Sequence, residues 1–258
     1  MDSPIAPIEP LILTIPQRQA ILEVSEVVRA HFRRVFCLTR ARRVRYGPFA
    51  GLSFQPLAEM LPTPMMLGVY ERELWPVMER LVAAAPSRVV NVGCGVGYYA
   101  VGLAMRLPGA GIFAFDTDPD CQAGCMRLST ANSCVDRVRI AGNLTVEGLA
   151  ALAGPGTLIL SDCEGGEDML LDPVRVPALA DCAIVVETHD FLLPGSRQRL
   201  IDRFSPTHAV EVVGMDVNLP DTCEEIRNYD MICRGMILGE YRQRGQDWLV
   251  LTPKTASA

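Results

Sequence analysis

An α/β fold, a doubly wound and mostly parallel seven-stranded sheet with helices on both faces, is what this chain predicts, preceded by a helix and hairpin extension. Three observations predict it. From Ser87 onward, short apolar runs alternate with helix-length segments, as in a parallel sheet covered on both sides. The first run leads through VVNVGCGVG into a helix, with Gly93, Gly95 and Gly97 at alternate positions. The second run, GIFAFD, ends in an acid, Asp116.

Taken in order, residues 1–15 read as a proline-rich arm. From Gln17 to Leu38 a helix is expected. Ile21, Val24, Val28, Phe32 and Val35 share its apolar face, and Arg29, Arg33 and Arg34 turn away from it. RRVRYGPFAGLSFQP alternates around Gly47-Pro48 and Gly51 as a β-hairpin would. LGVYERELWPVMERLVAA reads as a second helix, kinked or split by Pro76. This places an extension over residues 1–86 and the sheet domain over 87–258. The strands are RVVNVG, GIFAFD, RVRIAG, TLILSD, AIVVETH, HAVEVVGM and DWLVLTP. Helices follow near 97–107, 119–132 and 146–152, and helical sequence also follows the fourth and fifth strands. Residues 216–246, between the last two strands, are positioned to act as a lid.

Composition narrows the function classes. At 258 residues with 49% hydrophobic and 21% charged side chains, the chain has material for a large core. A net charge of −6 gives no electrostatic footprint for nucleic acid. The basic cluster of His31, Arg33, Arg34, Arg40, Arg42, Arg43 and Arg45 reads as a solvated face. Nine scattered cysteines without a CxxC pair imply a reduced, cytoplasmic setting and no zinc set. The acidic start MDSPIAPIEP is unlike a signal peptide, and no run has the roughly 18 uncharged apolar residues that a membrane span needs. Neither nucleic acid nor membrane is therefore expected as a partner; a homodimer is left open.

In a doubly wound sheet the ligand sits at the carboxyl ends of the strands, where the strand order reverses. A dinucleotide fingerprint GxGxxG requires a glycine where Tyr98 stands. The pattern here is GxGxG, with Asp116 placed to hold ribose hydroxyls, which points to S-adenosylmethionine (SAM) on a Rossmann-like sheet rather than to NAD. Gly93, Cys94, Gly95, Gly97 and Tyr98 form the expected cradle. Cys94 is read as chosen for size, not reactivity, and Tyr98 and Tyr99 as one packing residue and one edging the pocket.

Over residues 87–253 the chain resembles the class I SAM-dependent methyltransferases, and within them the FkbM-like family. The residues that carry the resemblance are VVNVGCGVGYY, FAFDTDP, LILSDCEGGEDMLL and VVETHDF. The family's D-x-E-G-x-E and E-x-H signatures fall on Asp162, Glu164, Gly165, Glu167, Glu187 and His189. The resemblance implies that Asn143 touches the adenine, and that Tyr70 and Glu71 line the cofactor or acceptor pocket. Asn91 stands where many class I enzymes carry an acid toward the methionine end of SAM; an amide can hydrogen-bond there but adds no charge.

The expected activity is methyl transfer, to oxygen of a small-molecule or sugar-like acceptor. His189 ranks first as the base for an acceptor hydroxyl, Asp162 second, with Glu164 beside them. Other roles stay open: His189 as a plain hydrogen-bonding residue, and Glu164 and Glu167 as caps of the following helix. A divalent metal on Asp162, Glu187 and His189 is chemically compatible, but the spacing does not single it out and no metal is assigned. Two further readings are a SAM-using cyclase or lyase and a SAM-binding protein without catalysis.

Overall fold

The computed structural model describes residues 13–39, 42–58, 61–216, 223–240, 242 and 246–254. Arg40, most of the N-terminal arm and parts of the 216–246 segment lie outside the described residues. The strands are β1 (Arg88–Val92), β2 (Gly111–Phe115), β3 (Val138–Ala141), β4 (Thr157–Ser161), β5 (Ala183–Glu187), β6 (His208–Val213) and β7 (Trp248–Pro253). The helices are α1 (Ile15–Thr39), α2 (Thr63–Leu67), α3 (Trp75–Ala83), α4 (Tyr98–Arg106), α5 (Pro119–Ala131), α6 (Val146–Leu152), α7 (Glu167–Leu170), α8 (Ser196–Phe204) and α9 (Met231–Leu238).

The strands form one sheet in the order β3-β2-β1-β4-β5-β7-β6, so the expected seven-stranded, mostly parallel doubly wound sheet is the one observed. Only β7 runs antiparallel to its neighbours, β5 and β6. β1, β4 and β5 are near-continuous apolar runs because both their faces are covered. Alternate residues feed two cores. Val89, Leu158, Leu160 and Val185 pack toward α4 and α5, while Val90, Ile159, Ile184 and Val186 pack toward Leu149 of α6 and Leu200 and Phe204 of α8.

The last two strands carry a local repair. The register of β7 places His208 opposite Pro253 on one side and, continued by two residues past Ile184–Leu251, Cys182 opposite it on the other. Proline has no N–H to give the ladder. The His208 imidazole takes over: Nε2 lies 3.0 Å from the Cys182 carbonyl and Nδ1 lies 2.8 Å from the Thr207 hydroxyl.

The extension departs from expectation in three ways. The buried stripe of α1 is Ser25, Phe32 and Phe36, while Ile21, Val24 and Val35 are exposed. Arg29 faces inward rather than away. Its Nε donates to the Met236 carbonyl at 2.8 Å and its guanidinium also reaches the Gly239 carbonyl, so that a cation closes the C-terminal end of α9. Over 42–56 there are no hairpin strands, only the bridge Arg43–Ser53 and a few cross-chain bonds such as Val44 N–H to Leu52 O. The loop is pinned from outside: Asn132, the C-cap of α5, bonds both the N–H and the carbonyl of Ser53.

Over 67–84, Pro76 does not kink a helix but sits in the first turn of α3, where its missing N–H costs nothing. The break falls earlier, at Gly68 (φ +88°) and Glu71 (φ +46°). The extension is no separate body by its core. Phe32, Phe36, Phe49 and Phe54 join the same apolar cluster as α4, α5 and one face of the sheet.

Candidate active site

The strand order reverses between β1 and β4, and two clefts open at that end of the sheet. The first, about 630 Å³, is bordered by Gly93, Gly95, Asp116, Asn143, Asp162 and Glu164 among others. The second, about 360 Å³, is bordered by Tyr70, Glu71, Glu187, Glu240 and Arg242, and again by Asp162 and Glu164. The two clefts share that wall.

The glycine loop is built by close approach. All three glycines have positive φ. A methyl group on Gly93 would collide with the Asp162 carbonyl, and one on Gly97 would come within 2.7 Å of Cys125 Sγ. An added methyl on Gly95 would meet nothing within 4 Å, because its backbone faces open space beside the first cleft. The Gly93 and Cys94 N–H groups both donate to the Phe115 carbonyl at 2.9 Å. Asp116 holds the turn, accepting from Gly95 N–H at 2.7 Å and Asp118 N–H at 2.9 Å. Each of its oxygens keeps a second acceptor site.

Of the residues expected to hold a cofactor, Gly93, Gly95, Asp116, Asn143 and Asp162 border the first cleft. Tyr70 borders the second instead. Asn91, Cys94, Gly97 and Tyr98 border neither. Asn91 is buried in β1; its Nδ2 contacts the Leu160 carbonyl at 3.4 Å and its Oδ1 is buried without a hydrogen bond. Tyr98 and Tyr99 both pack edge-on against Phe49, in a group with Tyr70. The Tyr99 hydroxyl donates to Glu71.

His189, Asp162 and Glu164 do converge. His189 is 1% exposed. Its Nε2 lies 3.2 Å from Glu187, 3.4 Å from Asp162 and 3.6 Å from Glu164, and its Nδ1 lies 3.1 Å from Glu167. Neither ring nitrogen is aligned for a hydrogen bond. Burial lowers the affinity of His189 for its proton, but Glu167 and Glu187 outweigh it and push the pKa up to about 10. The imidazole thus stands as an imidazolium among carboxylates, not as the free base expected from its ordinary pKa.

Burial, with Glu187 adding to it, lifts Asp162 to about 9. Burial raises Glu187 less than His189 and Arg242 lower it, so it stays below the usual carboxylate range. Glu167 caps its own loop, accepting from the N–H groups of Cys163 (2.8 Å) and Gly165 (3.0 Å).

Tyr70 and Glu71, expected at the pocket from the resemblance, border the second cleft, whereas Glu240 and Arg242 have no residue-level signal in the sequence. Arg242 spans Glu73 and Glu187, the latter at 2.5 Å, and also donates to the Gln246 carbonyl. Burial lifts Glu71 to about 8 and Glu240 to about 7. Glu240, Arg242 and Gln246 come from the 216–246 segment, whose residues 217–222, 241 and 243–245 lie outside the described ones. Among the described residues, no helix is long and apolar enough to cross a membrane.

No family model matches the chain. An alignment of 93 positions, covering 33% of this chain, is 36% identical to the release factor glutamine methyltransferase of Chlorobaculum tepidum and covers 31% of that protein's length. The chain thus spans about a third of the curated relative it matches. Among solved structures, a candidate O-methyltransferase from Klebsiella pneumoniae is similar with a TM-score of 0.50 at 12% identity, over 95% of this chain and 93% of that one. The delta-N METTL16 methyltransferase domain gives a TM-score of 0.51 at 15% identity, over 88% and 96%. At such identities the likeness is one of fold. The chain has the Rossmann-like fold of class I SAM-dependent methyltransferases.

Proposed function

We propose that the protein is a SAM-dependent methyltransferase that methylates oxygen on a small-molecule or sugar-like acceptor. The observation that carries this is the shared wall. One cleft is bordered by the glycine loop, Asp116 and Asn143, the other by an acid-rich set, and Asp162 and Glu164 border both. The first cleft fits the cofactor in size and in kind. Its volume lies in the range of ligand pockets, and at Gly95 the backbone meets open space instead of protein. Gly93, Gly95, Asp116 and Asn143 would hold the cofactor there.

SAM, when bound, supplies a methyl group already activated on a sulfonium. The chain's own task is then alignment and exclusion of water. Asp162 and Glu164 stand where the clefts meet and accept a hydrogen bond from an acceptor hydroxyl. The FkbM-like reading is supported by the meeting of Asp162, Glu164, Glu167, Glu187 and His189 around one imidazole.

Thermal unfolding with SAM and with S-adenosylhomocysteine tests the cofactor. At ligand about 100-fold above Kd the fold gains about 2.7 kcal/mol, and Asp116→Ala loses most of that gain. No shift for the wild type at saturating ligand would refute the proposal. Mass spectrometry against an acceptor panel tests the reaction: an acceptor heavier by one CH₂ is the expected product, whereas methylthioadenosine formed without acceptor would place the chemistry with cyclases or lyases.

A further inference from the structure

The second cleft gathers five carboxyl groups around a single guanidinium. Glu71, Asp162, Glu164, Glu187 and Glu240 border it against one guanidinium, Arg242, which is already committed to Glu73 and Glu187. An acidic cluster alone defines no ligand, but buried polar atoms beside these carboxyl groups lack partners. Nε2 of His189, whose side chain is fully buried, and Asp162 Oδ1 lack any hydrogen bond. Buried polar atoms left this way are costly unless something else coordinates them.

From this arrangement we infer that Asp162, Glu164 and His189 form a binding site for one divalent transition-metal ion. One donor atom from each lies within 4.8 Å of the others. The 3.4 and 3.6 Å separations of Nε2 from the two carboxylates are close to the ~3.3 Å edge of a tetrahedron with bonds of about 2.0–2.1 Å. The carboxylates gather on Nε2, so that nitrogen is the donor.

Its partner, Nδ1, lies 3.1 Å from Glu167, which Cys163 and Gly165 N–H groups hold in place. A carboxylate behind a ligating imidazole is the usual way a metal-binding histidine is oriented. The site is also reachable: the Asp162 side chain is 28% exposed and that of Glu164 72%. Glu164 stands in this set in place of Glu187, which the sequence offers with Asp162 and His189.

An imidazole with two carboxylates selects the ion class. Mg²⁺ and Ca²⁺ take oxygen ligands, whereas Mn²⁺, Co²⁺ and Zn²⁺ accept this mixture. If the proposed function holds, on which the role but not the site depends, the ion lies between donor and acceptor clefts, where it would polarise an acceptor oxygen.

The test is isothermal titration of chelator-treated full-length protein with Mn²⁺ and Zn²⁺, without SAM. One ion per chain is expected. Glu164→Gln, an exposed change that leaves the core intact, weakens binding at least tenfold, as does His189→Ala. Electron spin-echo spectroscopy of the Mn²⁺ form shows nitrogen coupling from the imidazole. Absence of binding by the wild type overturns the inference, as does full affinity in Glu164→Gln or tighter binding of Mg²⁺ than of either ion. SAM stabilisation is read separately, so a failed metal site and a failed methyltransferase reading give different results.

Discussion

Gly93 and Gly95 sit two residues apart in one loop, yet a methyl group acts differently at each. At Gly93 it collides with the Asp162 carbonyl, joining left-handed strain to overpacking where β1 and β4 meet. Gly93→Ala is expected to cost about 2–5 kcal/mol of stability in urea unfolding. At Gly95 the added atom meets no protein, so Gly95→Ala costs about 1–2 kcal/mol of backbone strain but weakens SAM binding at least tenfold by titration. Equal effects of the two changes on stability would contradict this division. The same contrast marks what is legible residue by residue. The acids and histidine just past strands four and five announce themselves, because strand ends in a doubly wound sheet converge. Glu240 and Arg242 arrive from irregular segments, and while the resemblance names Glu71, no spacing rule ties it to an arginine far along the chain.

Among elements, the seven strands are read from sequence almost to their ends, since each is a short apolar run closed by a polar or turn residue. The hairpin at 42–56 is not, because alternation also describes a loop held from outside, here by Asn132. Likewise, helical periodicity through 67–84 hides the break at Gly68 and Glu71. The join of β5, β6 and β7 yields a pH prediction. Burial holds the His208 pKa below its ordinary value, opposed by the Cys182 carbonyl and Asp181, with Lys254 lowering it further. The unfolded chain, near pKa 6.5, then takes up the proton more readily than the folded one. The stability contributed by His208 is full above that value and falls as pH drops through it toward the folded pKa. Wild-type protein is therefore expected to lose more stability between pH 7.5 and 5.5 than His208→Gln in parallel urea titrations. Parallel curves would show that the imidazole is not the acid-sensitive link.

For the molecule as a whole, the boundary expected near residue 86 divides the sequence but not the core. Phe32, Phe36, Phe49 and Phe54 belong to the cluster that covers one face of the sheet. A chain cut to 87–258 is expected to expose that face, bind a hydrophobic dye and aggregate; a soluble fragment with a sharp unfolding transition would refute this. Composition never reveals such sharing, because each half is apolar enough to seem self-sufficient. The extension is in turn bound to the far end of the chain. Arg29 closes α9, Thr63 bonds the Ile237 carbonyl, and Arg45 and Tyr46 grip Glu225. One wall of the second cleft therefore descends from two stretches of sequence with six of the seven strands between them. Anyone recombining this scaffold to alter selectivity inherits that bond: the transplantable unit is the pair of stretches, and a crossover that moves one without the other separates a lock from its key.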